Sequence, residues 1–574
     1  MGKIYLAVLG FIWCISAFGQ PFTAVNNPFP GMARGAQAFV DLDNDNDLDL
    51  IMCGQDNTFS PMAKVYVNDA GTFNEASTNI RGLYNSAMSV SDYNHDGLMD
   101  FVITGQDFNG NATRLYKNLG ALQFQLSDST LYAAGADGDV AFGDYDNDGF
   151  ADIVLSGNWN SKLYHNNTDG TFTEVFEAGL PALNSPSLAW GDYDNDGDSD
   201  LLMVGDDGSI TTYVMTNSGG NFTRLETLME GAVGGSARWG DCDLDGYLDI
   251  LITGKDWSLA PVSYIYHNNS DDTFSNANSG LVGTALGPAD WIDYDNDGDL
   301  DIMLSGQNAG CGNSSTILYE NDGIGGYTQF TTLNFVERGA SAWGDYDNDG
   351  DIDLVLTGIS GTATRYFYEN DLLAGTFQIN TPPAVPVITD IFTWQDYGII
   401  NWNRSTDQQS PELAITYNMR IGTTPGGIEI LSPLSDPLTG TRYQPSSGNM
   451  GSNIFCVFKN LQPGTYYFSL QAVDQSFAAS VFSEEQNFTI LPTSLSGNPN
   501  TGPNITIRAE SGVLIINSDL DNSELSLINM SGIVIERSRQ NSGTAFLQTA
   551  QLAKGLYILQ ISCNGSYFYK KILL

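Results

Sequence analysis

Asp192-Tyr-Asp-Asn-Asp-Gly-Asp-Ser-Asp200 is the stretch whose reading decides the fold. Close variants recur, and the seven copies begin at Asp41, Asp92, Asp144, Asp192, Asp241, Asp293 and Asp345. Successive starts lie 51, 52, 48, 49, 52 and 52 residues apart. A fixed period of this size marks a repeat architecture in which each unit buries its apolar face against its neighbours.

Oxygen donors at the first, third and fifth positions of a tight loop can wrap one hard cation, with a backbone carbonyl added at the seventh. The third position holds Asp43, Asn94, Asp146, Asp194, Asp243, Asp295 and Asp347. The fifth holds Asp45, Asp96, Asp148, Asp196, Asp245, Asp297 and Asp349. The sixth is Gly in every copy but the first, where Asn46 stands, a residue that also tolerates positive φ. The seventh varies among Asp47, Leu98, Phe150, Asp198, Tyr247, Asp299 and Asp351, which suits coordination through the carbonyl. The ninth is always acidic: Asp49, Asp100, Asp152, Asp200, Asp249, Asp301 and Asp353. An EF-hand instead closes with Glu at position 12 and enters a helix. Here the chain runs directly into an apolar strand such as Leu354-Val-Leu-Thr357. Asp, Asn and Gly favour turns without any metal, but seven copies of one donor pattern predict Ca²⁺, up to seven ions, one per repeat. The second copy is the poorest in carboxylates.

Charge agrees with this reading. The formal net charge is −46, and 31 of the 68 acidic residues occupy the odd positions of these loops. The acidity therefore sits where cations would bind rather than in a tail. With only 22 Lys plus Arg, the chain is no candidate for nucleic-acid binding.

Each repeat carries an apolar run into the loop and a second run out of it; a third strand carries Tyr-x-Asn in six of them (Tyr164-His-Asn166, Tyr319-Glu-Asn321), and a fourth begins Thr-Phe or similar. Four short strands per repeat, separated by Gly/Asn/Asp turns, predict a propeller blade. Phe22–Val25 and Thr376–Ile379 are both candidates for the strand that closes the ring. The fold class is all-β: a seven-bladed calcium-binding β-propeller, then an immunoglobulin-like or fibronectin type III sandwich, then a small C-terminal β-sandwich.

The domains divide as follows. Residues 1–19 read as a signal peptide, with Lys3, an apolar stretch at Ile4–Ile15, and cleavage near Gly19. That apolar stretch is shorter than the ~20 residues a span requires, so no transmembrane segment is expected in the mature chain. The propeller occupies 20–379 and a sandwich 380–490, the latter with an alternating strand after Pro463-Gly464. Residues 491–500 are a linker and 501–574 a final β-rich segment. The cysteines show no spacing pattern and read as buried single thiols.

The loop-and-strand repeat resembles the FG-GAP/VCBS repeats of integrin α-subunit propellers and of many secreted bacterial proteins. The segment around Asn460-Leu-Gln-Pro-Gly-Thr-Tyr466 resembles a fibronectin type III domain, with Tyr466 as its corner tyrosine. The end of the chain looks like the C-terminal sorting domain of the Bacteroidetes type IX secretion system. The residues that carry this likeness are Ser523–Ile535, Leu552-Ala-Lys-Gly-Leu-Tyr557 and Lys570-Lys-Ile-Leu-Leu574, while Asn498-Pro-Asn500 is a partial form of the usual opening. That resemblance implies export, engagement of the type IX machinery through 501–574, and release or attachment at the outer-membrane surface.

No nucleophile elbow, zinc-protease helix motif or phosphate loop is present. His165 and His267 fall in the x slot of Tyr-x-Asn, which reads as an exposed strand position, and His95 lies inside the second loop at a non-ligand position. No catalytic residue is assigned. The expected role is binding of a glycan, matrix or surface protein through the face opposite the metal loops. Candidate contact residues are Phe59, Tyr84, Phe108, Trp159 and Trp257. The alternatives are a secreted carbohydrate-active enzyme of lyase type and a structural surface-layer component.

Overall fold

The computed structural model describes residues 22–127, 130–308, 314–372, 379–394, 396–491 and most of 506–573. The signal peptide, the linker from 492 onward and residues 376–378 of one closing-strand candidate lie outside the described residues.

Among the described residues, four-stranded antiparallel units recur seven times, the fifth and sixth merged into one nine-stranded sheet. The fourth is typical: Asn184–Gly191, Asp200–Asp206, Ile210–Ser218 and Asn221–Arg224 pair in sequence order. The second strand of each unit is apolar on both faces. Leu201, Leu202, Met203 and Val204 are all buried, because a blade is covered by a neighbour on either side. The fifth and sixth units are joined by Thr284–Ala285, which pairs with a strand of each.

The last unit draws its outer strand from the other end of the chain. Phe22–Ala24 pairs antiparallel with Thr362–Asn370, with Phe22 opposite Asn370. The choice between the two closing candidates therefore falls on the N-terminal one. The first unit also packs on the last: Phe29, Phe39, Leu50 and Tyr66 share one core with Ala342, Tyr346, Val355 and Phe367. The ring is closed by apolar packing as well as by strand pairing.

Blades approach closely at a Gly that precedes the acidic loop. A Cβ added to Gly143 would lie 2.5 Å from the ring of Trp190 in the next blade, and one on Gly240 would lie 2.6 Å from Trp291. Only the missing side chain lets each Trp wedge between blades.

Residues 387–490 form two three-stranded sheets around Trp402, Tyr417, Met419, Phe468 and Phe488. The Tyr466 hydroxyl donates to the Gln462 carbonyl at 2.8 Å, the hydrogen bond that pins a corner of such a sandwich. The final segment forms a second small pair of sheets around Leu514, Leu525, Leu547 and Leu559.

Phe22 is buried, with its ring 5.9 Å from Tyr294 and 6.0 Å from Trp343. Phe22→Ala should lower unfolding free energy by about 3–5 kcal/mol, read by chemical denaturation. An unchanged midpoint would mean that the ring closes by another strand.

Candidate metal centres

In every loop the first carboxylate gathers backbone N–H groups. Asp192 Oδ1 accepts from Asp196 N at 3.1 Å and its Oδ2 from Gly197 N at 3.0 Å. Asp196 then accepts from Asp198 N at 3.0 Å. The turn needs left-handed backbone at two positions. The sixth is the expected one, with φ of 70° at Asn46 and 96° at Gly197. The fourth was not legible as such in the sequence: Asn44, His95, Asn147, Asn195, Leu244, Asn296 and Asn348 all have φ of 56–63°. That requirement explains the Asn at five of these positions.

The loop carboxylates converge. One oxygen each from Asp41, Asp43 and Asp45 lies within 4.8 Å of the others, as do those of Asp144, Asp146 and Asp152 and of Asp192, Asp194 and Asp200. One third-position oxygen in five loops, on Asp43, Asp146, Asp243, Asp295 and Asp347, is buried without a hydrogen-bond partner.

The ninth-position Asp has a second task. Asp49 Oδ2 accepts from Leu42 N at 2.9 Å and its Oδ1 from Asn68 N at 2.9 Å. The same carboxylate-to-Asn bond occurs in all seven blades, at 2.7–2.9 Å. Each of these Asn side chains then donates to the neighbouring blade's loop. Asn118 reaches Leu42 O at 2.9 Å, Asn166 reaches Tyr93 O at 2.8 Å, and Asn68 crosses the closure to Tyr346 O at 2.7 Å. The Tyr-x-Asn motif is thus an inter-blade clamp, where the sequence showed only a strand marker.

Fourth-position side chains link loop tips. Asn44 donates to Gly97 O at 2.8 Å, Asn195 to Gly246 O at 2.9 Å and Asn296 to Gly350 O at 2.8 Å. His95 instead stacks between Phe150 of the next loop and Tyr443 of the sandwich, at centroid distances of 4.0 and 3.8 Å.

The x slot of Tyr-x-Asn is exposed in the sixth blade, at Glu320, as expected from sequence, but half-buried in the others. In the third and fifth blades its side chain bends over the loop of its own blade. His165 Nδ1 lies 3.2 Å from Asp146 and 3.4 Å from Asp152, and His267 Nδ1 lies 3.5 Å from Asp243 and 3.1 Å from Asp249. Both imidazoles are half-buried.

Burial dominates the electrostatics of the loops. Burial first, then the nearby Asp192 and Asp194 carboxylates, pushes Asp200 up to about 10. Burial likewise raises Asp152 to about 9 and Asp49 to about 8.

The sandwich sits on this face of the ring. Tyr443 O accepts from Asp92 N at 2.8 Å, Ser432 N donates to Asn147 Oδ1 at 3.3 Å, and Lys459 N donates to Asn195 O at 3.0 Å. Asn453 Nδ2 donates to Asp241 Oδ2 at 2.8 Å, Ser452 to Gly298 O at 2.8 Å, and Ser476 to Asn348 Oδ1 at 2.6 Å. Six of the seven loops are touched. The tip of the first, Asn44 to Asn46, is exposed.

The opposite end of each blade carries the hairpin between strands two and three. Phe59, Phe108, Trp159 and Trp257 occupy these tips and are 70%, 78%, 51% and 66% exposed. Phe59 and Trp159 sit there at φ of 61° and 60°. Tyr84, at the start of an inner strand and paired with Gln106, is half-buried.

Repeated four-stranded units with an acidic loop between strands one and two define a repeat β-propeller. The chain belongs to the FG-GAP-like repeat proteins: six overlapping matches run through residues 41–103, 92–155, 144–203, 192–252, 241–304 and 293–356. Residues 503–574 match the secretion system C-terminal sorting domain. The chain is therefore a secreted or surface protein that engages a secretion machinery through its tail. Among the described residues no helix is long and apolar enough to cross a membrane. No curated protein matches the chain. Among solved structures it is similar to an Agrocybe aegerita lectin that recognises non-reducing terminal N-acetylglucosamine (19% identity, 53% of this chain, 81% of that one, TM-score 0.37). It is also similar to the extracellular domain of a putative one-component system from B. thetaiotaomicron (11% identity, 81% of this chain, 68% of that one, TM-score 0.23).

The raised loop carboxyls set a pH dependence. Each holds its proton more tightly when folded, so its contribution to stability is full below the ordinary value of 3.8 and is lost as pH climbs through about 8 to 10. The melting temperature of metal-stripped protein should therefore fall between about pH 5 and pH 9. Scanning calorimetry in chelator reads this directly, and a melt that rises over that range would contradict it.

Proposed function

We propose that this chain is a calcium-stabilised binding protein of the cell exterior, which takes a glycan or a surface or matrix protein on the propeller face opposite the acidic loops. The observation that carries the reading is the pair of unlike faces. One is covered by the sandwich. The other is open and bears Phe59, Phe108, Trp159 and Trp257 at its hairpin tips. Aromatic rings bury large area with few rotamers, which suits sugar and protein contacts. Two of them are held in left-handed backbone, a conformation costly for bulky residues and typical of functional positions.

Calcium is supported by the chemistry of the loops. Converging carboxylates and buried third-position oxygens without partners suit a hard cation with oxygen ligands. Asp41, Asp43, Asp45, the carbonyl of Asp47 and Asp49 would hold the ion in the first loop, and the equivalent residues in the others. When bound, the ion would supply positive charge that lets the loop carboxylates stay ionised where they are buried.

Extracellular modules bind calcium with Kd of roughly 10⁻⁴–10⁻³ M, so ~2 mM calcium adds about 0.6–1.8 kcal/mol per site. Summed over the loops this is comparable to the whole stability of a typical domain, about 5–15 kcal/mol. Chelator should lower the melting temperature strongly and added calcium should restore it. An unchanged melt in excess chelator removes the calcium reading.

Trp159→Ala with Trp257→Ala should abolish binding on an array of glycans and matrix proteins while leaving the calcium-dependent melt within a few degrees. Binding that survives the double substitution places the ligand elsewhere.

A further inference from the structure

The seven loops share their side-chain donors but differ in the residue at the x slot of Tyr-x-Asn. That slot holds Val67 in the first blade, Thr216 in the fourth (where the motif reads Met215-Thr216-Asn217), Lys117 in the second, His165 and His267 in the third and fifth, and Glu320 and Glu369 in the sixth and seventh.

Lys117 Nζ lies 2.9 Å from Asp96 Oδ2 and 3.1 Å from Asn94 Oδ1. Those two residues stand at the third and fifth positions of the second loop, where a cation would be held. The Asn94 amide also donates to Asp100. The second loop thus satisfies its own oxygens with an internal ammonium, whereas third-position oxygens in five other loops are left without a partner.

The third and fifth loops differ in another way. Oxygens of Asp146 and Asp148 cluster with a nitrogen of His165, and those of Asp243 and Asp245 with a nitrogen of His267, each group within 4.8 Å. His165 Nδ1 is buried and makes no hydrogen bond. His267 Nδ1 shares a hydrogen bond with Asp249 Oδ1 at 3.1 Å, and the other nitrogen-to-oxygen separations, 3.2–3.5 Å, match ligands sharing one ion at the bond lengths of about 2.0–2.2 Å that zinc makes to His and Asp. Imidazole suits zinc and its neighbours, while calcium takes oxygen alone.

We infer that the x residue selects the cation of each loop: Lys117 occupies the second loop itself, His165 and His267 turn the third and fifth into sites for a divalent transition metal such as zinc, and the remaining loops stay all-oxygen calcium sites. This rests on the reading of the loops as calcium sites.

The test uses full-length chain stripped with chelator. After equilibrium dialysis against calcium, Lys117→Val should hold one more ion per chain than the natural chain, by atomic emission. Lys117→Thr, with the residue the fourth blade carries, is the second variant should Val disturb the fold. In zinc titration by calorimetry, the natural chain should show two tight sites. His165→Val with His267→Val should lose both while its calcium-dependent melt persists. No added calcium ion in either folded Lys117 variant, or unchanged zinc binding in the double His variant, overturns the inference. A natural chain that binds no calcium at all would instead defeat the calcium reading, and the zinc titration would still judge the His sites.

Discussion

The structure depends on a buried carboxylate. The ninth-position Asp of each loop is withdrawn from water and bonded to the backbone N–H of the third-strand Asn, and in six of the seven loops also to a backbone N–H of its own loop; in the second, Asp100 takes the Asn94 amide instead. A buried ionisable group is tolerated only when such partners satisfy it. Satisfying it fixes the loop against the blade, and the same Asn then grips the loop of the preceding blade. Blade geometry and ring geometry are set by one repeated knot. The apolar strands fill the space between blades, and the knot works with the Trp wedges and the loop-tip Asn bonds to specify how they meet.

Much of this was legible in the residues. The period, the odd-numbered donors and the glycine at the sixth position announce a repeated acidic turn before a strand. The rest was hidden for identifiable reasons. Left-handed backbone at the fourth position is invisible when Asn, His and Leu all occupy it, although five Asn in seven were a hint. The direction in which His165, His267 and Lys117 point depends on strand twist and on which side of the strand the loop folds back, and periodicity alone cannot supply that. The closing strand was undecided because Phe22–Val25 and Thr376–Ile379 have similar apolar patterns. Pairing partners far apart in the chain decide between them. The position of the sandwich had no sequence signal, since Ser432, Asn453 and Ser476 are ordinary loop residues.

Placing the sandwich on the acidic face divides the labour of the propeller. Loops that hold dense negative charge are turned into an internal joint, where Lys459 lies over the ring of Tyr247 at 4.2 Å and hydrogen bonds tie six blades to one rigid partner. The aromatic hairpins are left outward. A family built on one repeat can thus vary its exposed tips without disturbing the joint.

Closure of the ring by Phe22–Ala24 also governs when the fold can be completed. Pairing Phe22 with Asn370 demands that the two ends of the propeller be present together, and such long-range pairing is slow because loop entropy must be overcome first. A chain that emerges from one end can assemble blades in order, but until the ends meet it is an open arc. Its last strand, Thr362–Asn370, then shows an unpaired edge to any other strand nearby. The most hazardous moment in the life of this molecule is the interval between formation of Thr362–Asn370 and its capture by Phe22–Ala24.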